Sequence, residues 1–439
     1  MNSVKTKLST QDIVKLNKDY TLFSWSVQSA TNPIPISHAQ GVYFWDTDGK
    51  RYIDFSSQLM NMNIGHQHPK VIKAIQDQAA QLCYAHPGMA TEARGLLGQK
   101  IAEVAPGNLN KTFFCLGGAE ANENAIKIAR FYTGRNKIMA RYRSYHGATH
   151  GAIALTGDYR RLPVEPALPG VVHFLDPFCY RCPFGWTKET CHRECISHVE
   201  EMINYEGPDR IAAIIMEGVT GSNGLIVPPE DYWPRVREIC DKYGILLISD
   251  EVMSGWGRTG KWFAVDNWNV VPDIITTAKG LTSGYVPLGA VIISEPIANY
   301  FEDKMFWCGL TYSGHPLACA AGVATINVYE EDGLLQNSEK VGTYLGKRLE
   351  EIKLNHQSVG DVRYIGLFTA IEIVSDKETK KPIEPLNETG KYLRDYGLFT
   401  FIFHNVIFVV PPLCINESQI DEGLSIIENA LEGLDKLVK

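Results

Sequence analysis

Two uninterrupted apolar runs of strand length limit the folds open to this chain more than any other feature. They occupy residues 211–216 (IAAIIM) and 245–249 (ILLIS). A strand with one face in water alternates apolar and polar residues, whereas a strand covered on both faces is apolar throughout. Between about residue 68 and residue 330, such runs alternate with segments of helical periodicity, of which 121–132 is one. The alternation predicts an α/β fold with a largely parallel central sheet flanked by helices.

The segments on either side of this core have a different character. An arm of about thirty residues precedes residues 41–55, where two aromatic-rich runs flank an Asp-Thr-Asp-Gly turn and predict a β-hairpin. After residue 330 the pattern changes to long polar helices and short strands, and an amphipathic helix begins at about Glu417. We therefore predict an N-terminal arm and hairpin over 1–63, a large domain over 64–330 and a small C-terminal α+β domain over 331–439.

Charge and composition exclude several classes of partner. Lys and Arg number 42 against 50 Asp and Glu, and the net charge of −8 argues against a nucleic-acid polyanion as the main partner. The N-terminus has no apolar stretch of signal-peptide length, and the apolar runs are far shorter than the roughly 20 residues that span a bilayer. We therefore expect a cytoplasmic protein without a membrane segment.

Three predicted strand ends carry residues that could bind a ligand. At the first, the run 113–115 meets Gly117 and Gly118 before a helix; the free N–H groups there favour an anion, although a plain strand–helix turn has the same sequence. At the second, Asp250 follows a buried strand, as a metal ligand, a helix cap or the partner of a ligand cation would. At the third, Lys279 is either an ordinary surface lysine or a desolvated amine able to form a Schiff base with an aldehyde.

The three strand ends predict one shared ligand site, because ligands of open α/β sheets bind beyond the carboxyl ends of the strands. Together they offer an anion cradle, a carboxylate and a buried amine, and Tyr145 in Ser-Tyr-His-Gly adds a ring for stacking. Pyridoxal 5′-phosphate (PLP) needs all four: a phosphate site, a lysine for its aldehyde, an acid for its pyridine nitrogen and packing on its ring. The residues therefore predict a PLP site.

Short motifs spread over nearly the whole chain resemble those of the class III (omega) aminotransferases of fold type I. The matching segments are 63–69 (NIGHQHP), 117–121 (GGAEA), 145–147 (YHG), 250–252 (DEV), 255–260 (GWGRTG), 278–280 (AKG), 311–316 (TYSGHP) and 411–413 (PPL). Lys279 lies 29 residues after Asp250, a spacing typical of the family. The resemblance implies a large PLP-binding domain with a mainly parallel sheet and a small C-terminal α+β domain.

The resemblance also implies roles for the residues around the cofactor. Lys279 would form the Schiff base with PLP and later carry the proton, and Asp250 would keep the pyridine nitrogen protonated. Val252 would pack on one face of the ring and Tyr145 on the other. Lys279 and Asp250 are therefore the predicted catalytic residues.

The phosphate site and the subunit arrangement follow from the same resemblance. Gly118 and Ala119 would bind phosphate through backbone N–H groups, which survive although many relatives have Ser-Gly-Ser-Glu where this chain has Gly-Gly-Ala-Glu. Thr311 would bind the same phosphate from a neighbouring subunit, so a homodimer, or a tetramer of two dimers, is implied. Glu217 matches a family glutamate beside the cofactor, but glycine follows it where proline is usual.

One departure from the family concerns the substrate. Phe401 stands where many relatives carry an arginine that pairs with the carboxylate of the 2-oxo acid, and a phenyl ring cannot replace a guanidinium fork. Either neutral donors bind that carboxylate or another cation does; Arg143 is the first candidate and Arg141 the second, with a structural ion pair as the alternative. Trp25 in the N-terminal arm either lines the substrate entrance or packs at a dimer interface.

Four of the ten cysteines lie close together in the sequence, at Cys179, Cys182, Cys191 and Cys195. Four thiols at this spacing could hold a structural Zn²⁺. The segment is also similar to an insertion in taurine- and β-alanine-type members of the family, for which structural cysteines are the simpler interpretation. We therefore predict no catalytic metal and leave the zinc question open.

The leading functional hypothesis is transfer of an amino group from a terminal amine to pyruvate or 2-oxoglutarate. Residues 55–61 (FSSQLMN), 141–147 (RYRSYHG) and the cysteine segment resemble taurine transaminases, so taurine is the favoured donor, followed by β-alanine, 4-aminobutyrate and diamines. The same fold and cofactor serve aminomutases, epimerases and phospho-lyases, which use the lysine without a second substrate. A zinc-binding structural protein is the remaining alternative.

Overall fold

The computed structural model describes residues 8–187 and 189–438. Its α-helices are α1 (Thr10–Tyr20), α2 (Ser57–Met60), α3 (Pro69–Gln81), α4 (Glu92–Val104), α5 (Gly118–Thr133), α6 (His150–Leu155), α7 (Glu194–Glu206), α8 (Tyr232–Tyr243), α9 (Glu295–Tyr300), α10 (Pro316–Glu331), α11 (Leu334–Asn355), α12 (Asn387–Asp395) and α13 (Glu417–Asp435). Its strands are β1 (Ile36–Gln40), β2 (Tyr43–Asp46), β3 (Arg51–Asp54), β4 (Leu109–Cys115), β5 (Lys137–Arg141), β6 (Val171–Phe174), β7 (Ile211–Glu217), β8 (Leu246–Asp250), β9 (Ile274–Thr277), β10 (Gly289–Ser294), β11 (Val359–Ile365), β12 (Phe368–Asp376), β13 (Lys381–Pro382), β14 (Leu398–Phe399), β15 (Ile402–Phe403) and β16 (Val406–Val409). Among the helices of these two ranges, none combines the length and the apolar character needed to cross a membrane.

The central sheet has seven strands in the order β4-β10-β9-β8-β7-β5-β6. Strands β5 to β9 run parallel, and β10 is antiparallel to both of its neighbours, β9 and β4. It follows that β4 runs in the same direction as the parallel strands, so its carboxyl end lies at the same edge of the sheet. Strands β7 and β8 contain the two apolar runs and are buried along their whole length. The predicted α/β fold with a largely parallel sheet is confirmed.

The N-terminal hairpin joins the C-terminal part of the chain. Strands β2 and β3 pair antiparallel, as predicted, and β14 then adds to β3 in parallel, with Leu398 opposite Ile53. A second small sheet, β11-β12-β16-β15 with β13 on β12, and the predicted terminal helix α13 complete this region. The ranges 1–63, 64–330 and 331–439 stay a prediction, and these strand pairs group the hairpin with the last of them.

A buried guanidinium connects three distant segments of the chain. Arg258 donates hydrogen bonds to the carbonyl oxygens of Leu367 (3.2 Å) and Pro411 (2.5 Å) in the C-terminal region. It also donates to Ser57 Oγ (3.2 Å) and Asn63 Oδ1 (2.8 Å) beyond the hairpin. Burial lowers the pKa of Arg258 to about 10, which reflects the free-energy cost of burying a cation. The four hydrogen-bond acceptors offset part of that cost.

The cysteine segment lies beside the start of α7. The Arg193 N–H donates to Cys191 Sγ at 3.3 Å, and burial raises the pKa of the Cys195 thiol to about 12. Within 8–187 and 189–438, no group of three or more His, Cys, Asp or Glu side chains is arranged to hold a metal ion. The thiols of Cys191, Cys179 and Cys182 are nevertheless close enough to Cys195 to raise its pKa further, so the zinc hypothesis stays a prediction.

Candidate active site

A cavity of about 910 Å³ opens where the parallel strands of the central sheet end. Its walls come from the start of α5, the loop after β5, the ends of β7 and β8, the residues after β9 and the segment 401–403. Predicted site residues among them are Trp25, Gly118, Ala119, Tyr145, Glu217, Asp250, Val252, Lys279 and Phe401. Strand register explains the meeting, because Glu217 pairs with Asp250 across β7 and β8, and Asp250 pairs with Thr276 across β8 and β9.

The start of α5 forms the anion cradle of this cavity. The first helical hydrogen bond joins the Ala121 N–H to the Gly117 carbonyl, so the N–H groups of Gly118, Ala119 and Glu120 have no acceptor within the helix. A Cβ added to Gly118 would lie 2.8 Å from Cγ1 of Val252, which is closer than side chains pack. Glycine therefore lets the backbone approach the space beside Val252, as a phosphate bound by N–H groups requires.

Asp250 ends β8 with a buried carboxylate that accepts three hydrogen bonds. Asn122 Nδ2 donates to Oδ2 at 2.8 Å, and Nδ1 of His146 lies 2.7 Å from the same oxygen. The Val252 N–H donates to Oδ1 at 3.0 Å. These donors fix the orientation of the buried carboxylate, as a partner for a ring nitrogen must be fixed.

Lys279 brings a buried amine into the same cavity. It follows β9 in a left-handed backbone conformation, with φ of +41°, which turns the chain away from the strand direction. Burial lowers the pKa of the amine to about 8, against the opposing charges of Asp250 and Glu217. Among the described residues, none forms a hydrogen bond with this amine, so it is available to a ligand.

Glu217 is a second buried carboxylate, held by backbone groups. Its Oε1 accepts the Tyr145 N–H at 3.0 Å and its Oε2 accepts the Gly221 N–H at 2.7 Å. Burial raises the pKa of Glu217. Through the first of these hydrogen bonds it fixes the backbone that carries the Tyr145 ring.

The structure places neither of the two candidate arginines in the cavity wall. The Arg143 guanidinium stacks 4.9 Å from the centre of the Phe178 ring, and burial lowers its pKa. Arg141 is fully buried and donates to the Glu217 carbonyl at 2.7 Å. The Arg143 side chain, predicted as the first candidate for the substrate-binding cation, lies outside this cavity against the Phe178 ring, while its backbone N–H donates to Asp176 Oδ2 at 2.9 Å.

Arg160 lies in the cavity wall in their place. Its Nε and Nη2 bind both oxygens of Asp158, and Nη2 also donates to Ser222 Oγ at 2.8 Å. Its guanidinium lies 4.2 Å from the centre of the Tyr145 ring and 5.1 Å from that of Phe403. Within the described ranges no residue accepts a hydrogen bond from Arg160 Nη1, so that nitrogen remains able to bind an anion.

Aromatic side chains complete the entrance. Trp25 stands edge-on to Tyr145 with 6.0 Å between ring centres and is 62% exposed. Phe401 packs against Phe408, with ring centres 5.2 Å apart. Thr311 lies outside this cavity, where its carbonyl accepts the Tyr84 hydroxyl, so its contact with a neighbouring subunit's phosphate stays a prediction.

Three cavity residues were missed in the sequence: Asn122, His146 and Arg160. Asn122 lies one helical turn after Gly118, so a helix beginning at Gly118 already puts both on one face. His146 stands inside the matched Tyr-His-Gly motif, but its partner is distant in sequence. Arg160 belongs to no motif, and only the path of the chain after α6 brings it back to Tyr145.

The residues present fit PLP. The free N–H groups of α5 suit its phosphate, the carboxylate of Asp250 suits its ring nitrogen, and the unpaired amine of Lys279 suits its aldehyde. Two buried polar atoms of residues in this wall, Asn122 Oδ1 and His146 Nε2, lack partners within the described residues.

Comparison with known proteins decides the family. The sequence profile described as Aminotransferase class-III matches residues 25–431 of this chain. The chain belongs to the class-III aminotransferases. The expected fold type I architecture, enzyme class and PLP dependence are thereby confirmed. Bound PLP supplies an electron sink that stabilises the carbanion formed beside the substrate nitrogen.

Several relatives of this aminotransferase have described activities. The solved taurine:2-oxoglutarate aminotransferase of Bifidobacterium kashiwanohense, in complex with PLP and glutamate, is 43% identical, with a TM-score of 0.94 over 98% of this chain and 99% of that one. The leucine/methionine racemase of Thermococcus litoralis is 39% identical over 92% of both chains. The taurine–pyruvate aminotransferase of Bilophila wadsworthia is 33% identical over 97% of this chain and 98% of its own.

Proposed function

We propose that this aminotransferase transfers the amino group of taurine to a 2-oxo acid, either 2-oxoglutarate or pyruvate. β-Alanine, 4-aminobutyrate and diamines are the next donors in order. The proposal rests on one observation above all: Arg160 offers a free guanidinium nitrogen in a cavity otherwise walled largely by aromatic and apolar groups. The similarity to two taurine aminotransferases supports it.

The way in which Arg160 is held favours a sulfonate over a carboxylate. Asp158 occupies the Nε–Nη2 edge and Ser222 takes a further Nη2 donor, which leaves Nη1 alone. A planar carboxylate gains most from a two-nitrogen fork, which is not available here. A sulfonate has three equivalent oxygens and presents one of them to a single nitrogen in any rotation about its carbon–sulfur bond. It also stays ionised over the whole working pH range.

Lys279 is the proposed proton carrier. With a pKa of about 8, its amine is partly neutral near pH 7 to 8 and can take the proton from the carbon beside the substrate nitrogen. The same amine would then return that proton to the cofactor. Asp250 is proposed to hold the ring nitrogen of PLP protonated, and Tyr145 and Val252 to enclose the ring.

Gly118 and Ala119 are proposed to bind the PLP phosphate through their N–H groups, which have no acceptor within α5. We propose that Thr311 of a second copy completes this site in a homodimer. Exposed aromatic side chains beside Thr311, including Tyr312 at 51% exposure and Trp307 at 70%, support a covered face there. The measured mass of the holoenzyme in solution tests this arrangement.

A panel of donors and acceptors tests the substrate assignment. Taurine, β-alanine, 4-aminobutyrate and putrescine are each supplied with 2-oxoglutarate or pyruvate, and the amino acid produced is quantified. We expect the highest kcat/KM for taurine. A donor without an anionic group that exceeds taurine would contradict the role of Arg160.

Racemisation is the second candidate, because a leucine/methionine racemase is 39% identical over 92% of both chains. Such an activity, like those of aminomutases, epimerases and phospho-lyases, needs no acceptor. L-Leucine and L-methionine, in large molar excess over the holoenzyme and without a 2-oxo acid, should keep their chirality. Catalytic inversion in this assay would replace the transaminase proposal.

A further inference from the structure

Two side chains from different elements converge on one oxygen of Asp250. Asn122, on the second turn of α5, donates to Oδ2 at 2.8 Å and to the His146 carbonyl at 2.7 Å. His146, in the loop after β5, places Nδ1 2.7 Å from the same Oδ2. All three side chains are at least 97% buried, so water does not compete for these hydrogen bonds.

The surroundings determine which atoms are donors. Both groups facing the Asn122 amide nitrogen are oxygen acceptors, so the opposite amide orientation would set oxygen against oxygen. His146 Nε2 is buried without a partner among the described residues, so a proton there would have no acceptor. The imidazole proton therefore belongs on Nδ1, where it donates to Asp250.

A count of acceptor positions shows what remains for a ligand. An ionised carboxylate has about four lone-pair positions, two on each oxygen. Asn122 and His146 occupy the two on Oδ2, and the Val252 N–H occupies one on Oδ1. One position on Oδ1 is left, which suits a single N–H donor.

We propose that Asn122 and His146 are positioning residues that orient Asp250 so that its one remaining lone pair can accept the ring N–H of bound PLP. Glu217 and Lys279 also face this carboxylate, and their opposite charges act on it from β7 and from the residues after β9. The two neutral donors supply what those charges cannot, a fixed orientation of the carboxylate plane. The proposal concerns the cofactor and holds whichever amine is the donor.

The test uses holoenzyme reconstituted with PLP carrying ¹⁵N in its ring, because the ¹⁵N chemical shift reports whether that nitrogen is protonated. The variants are Asn122→Ala and His146→Phe, which remove one donor each from different elements. Asn124→Ala is the matched control, since Asn124 lies on the same helix, is equally buried and donates to the Glu120 carbonyl at 2.7 Å. His146→Gln retains an amide donor. Single-turnover rates with saturating amine and the thermal midpoint are measured in parallel.

We expect the ring nitrogen to be protonated at pH 8 in the wild type and in Asn124→Ala, and substantially deprotonated in Asn122→Ala and His146→Phe. The single-turnover rate should fall about tenfold to a hundredfold in those two variants, because each loses a hydrogen bond to a carboxylate. It should partly recover in His146→Gln. If ring protonation is unchanged in both variants and their rates fall no more than that of Asn124→Ala, the proposal is overturned. Misfolding of one variant leaves the other to decide, because they act on the same oxygen from separate elements.

Discussion

Replacement of Arg160 by methionine tests the proposed substrate site most directly. Methionine keeps most of the side-chain length but removes the guanidinium, whose side chain is only 9% exposed in the cavity wall. A hydrogen bond to a charged group contributes about 1.5–3 kcal/mol, so we expect kcat/KM for taurine to fall about tenfold to a hundredfold. The loss should appear mainly in KM, since Arg160 contacts the far end of the donor in this proposal and not the carbon that loses its proton.

The Asp158 carboxylate complicates this substitution. In Arg160→Met it loses its partner while 10% exposed, and it then repels the anionic substrate as well. The double variant Arg160→Met with Asp158→Asn removes that repulsion, and we expect it to recover part of the taurine activity but not all of it. The difference between the single and double variants separates lost attraction from added repulsion.

The assay is the disappearance of the PLP absorption band in a single turnover without acceptor, measured over a range of donor concentrations. Taurine is compared with butylamine, which has no anionic group, and Arg143→Met is the control because its guanidinium stacks on Phe178 outside the cavity. Butylamine should react at similar rates in the wild type and in Arg160→Met. An equal loss for taurine and butylamine, or an equal loss in Arg143→Met, would refute the assignment of Arg160 as the anion-binding group.

Three further predictions concern stability and cofactor binding. Burial lowers the pKa of Lys279 from 10.5 to about 8, so between these pH values the unfolded chain binds a proton that the folded chain does not, and the contribution of Lys279 to stability rises with pH. Lys279→Met should therefore raise the free energy of unfolding of the cofactor-free protein by about 3 kcal/mol at pH 7. In urea titrations at increasing pH, this gain should disappear near pH 10.5. Arg258→Ala leaves four acceptors without their donor and should lower the free energy of unfolding by about 3 kcal/mol or more. The control is Arg210→Ala, at a side chain that is 69% exposed, which should change the free energy of unfolding by less than about 0.5 kcal/mol in the same titration. Gly118→Ala places a Cβ 2.8 Å from Val252 Cγ1 and should weaken PLP binding about tenfold or more, as measured by equilibrium dialysis. The double variant that adds Val252→Ala should recover the affinity. Unchanged affinity in Gly118→Ala alone would show that the backbone beside Val252 can shift.

Local patterns in the sequence were sufficient for most of the fold. The apolar runs became β7 and β8, the aromatic hairpin became β2 and β3, and the amphipathic C-terminal segment became α13. Each of these follows from residues within a few positions of one another, because side-chain periodicity is a property of a single helix or strand. The pairing of β14 with β3 was not predictable in this way, since its partners are 345 residues apart.

The cofactor site could be predicted in part from the sequence. Lys279, Asp250 and Gly118 stand at strand ends, and a parallel sheet brings all carboxyl ends to one edge, so their meeting could be predicted from the order of elements alone. Their assigned roles remain proposals. The sequence could also show that the arginine expected at position 401 is a phenylalanine, but it could not show that Arg160 lies in the cavity wall.

Tertiary structure decided the remaining features, because they depend on side chains that approach one another from distant segments. Arg143 is two residues from Tyr145 in sequence, yet the Phe178 ring draws its guanidinium out of the cavity. Arg160 is fifteen residues from Tyr145, yet its guanidinium lies 4.2 Å from that ring. The sequence by itself predicted the α/β fold, the family and a cofactor site at the strand ends. The three-dimensional packing determined which charged groups line the cavity and which neutral donors contact Asp250, since burial and hydrogen bonding are set by neighbours in space.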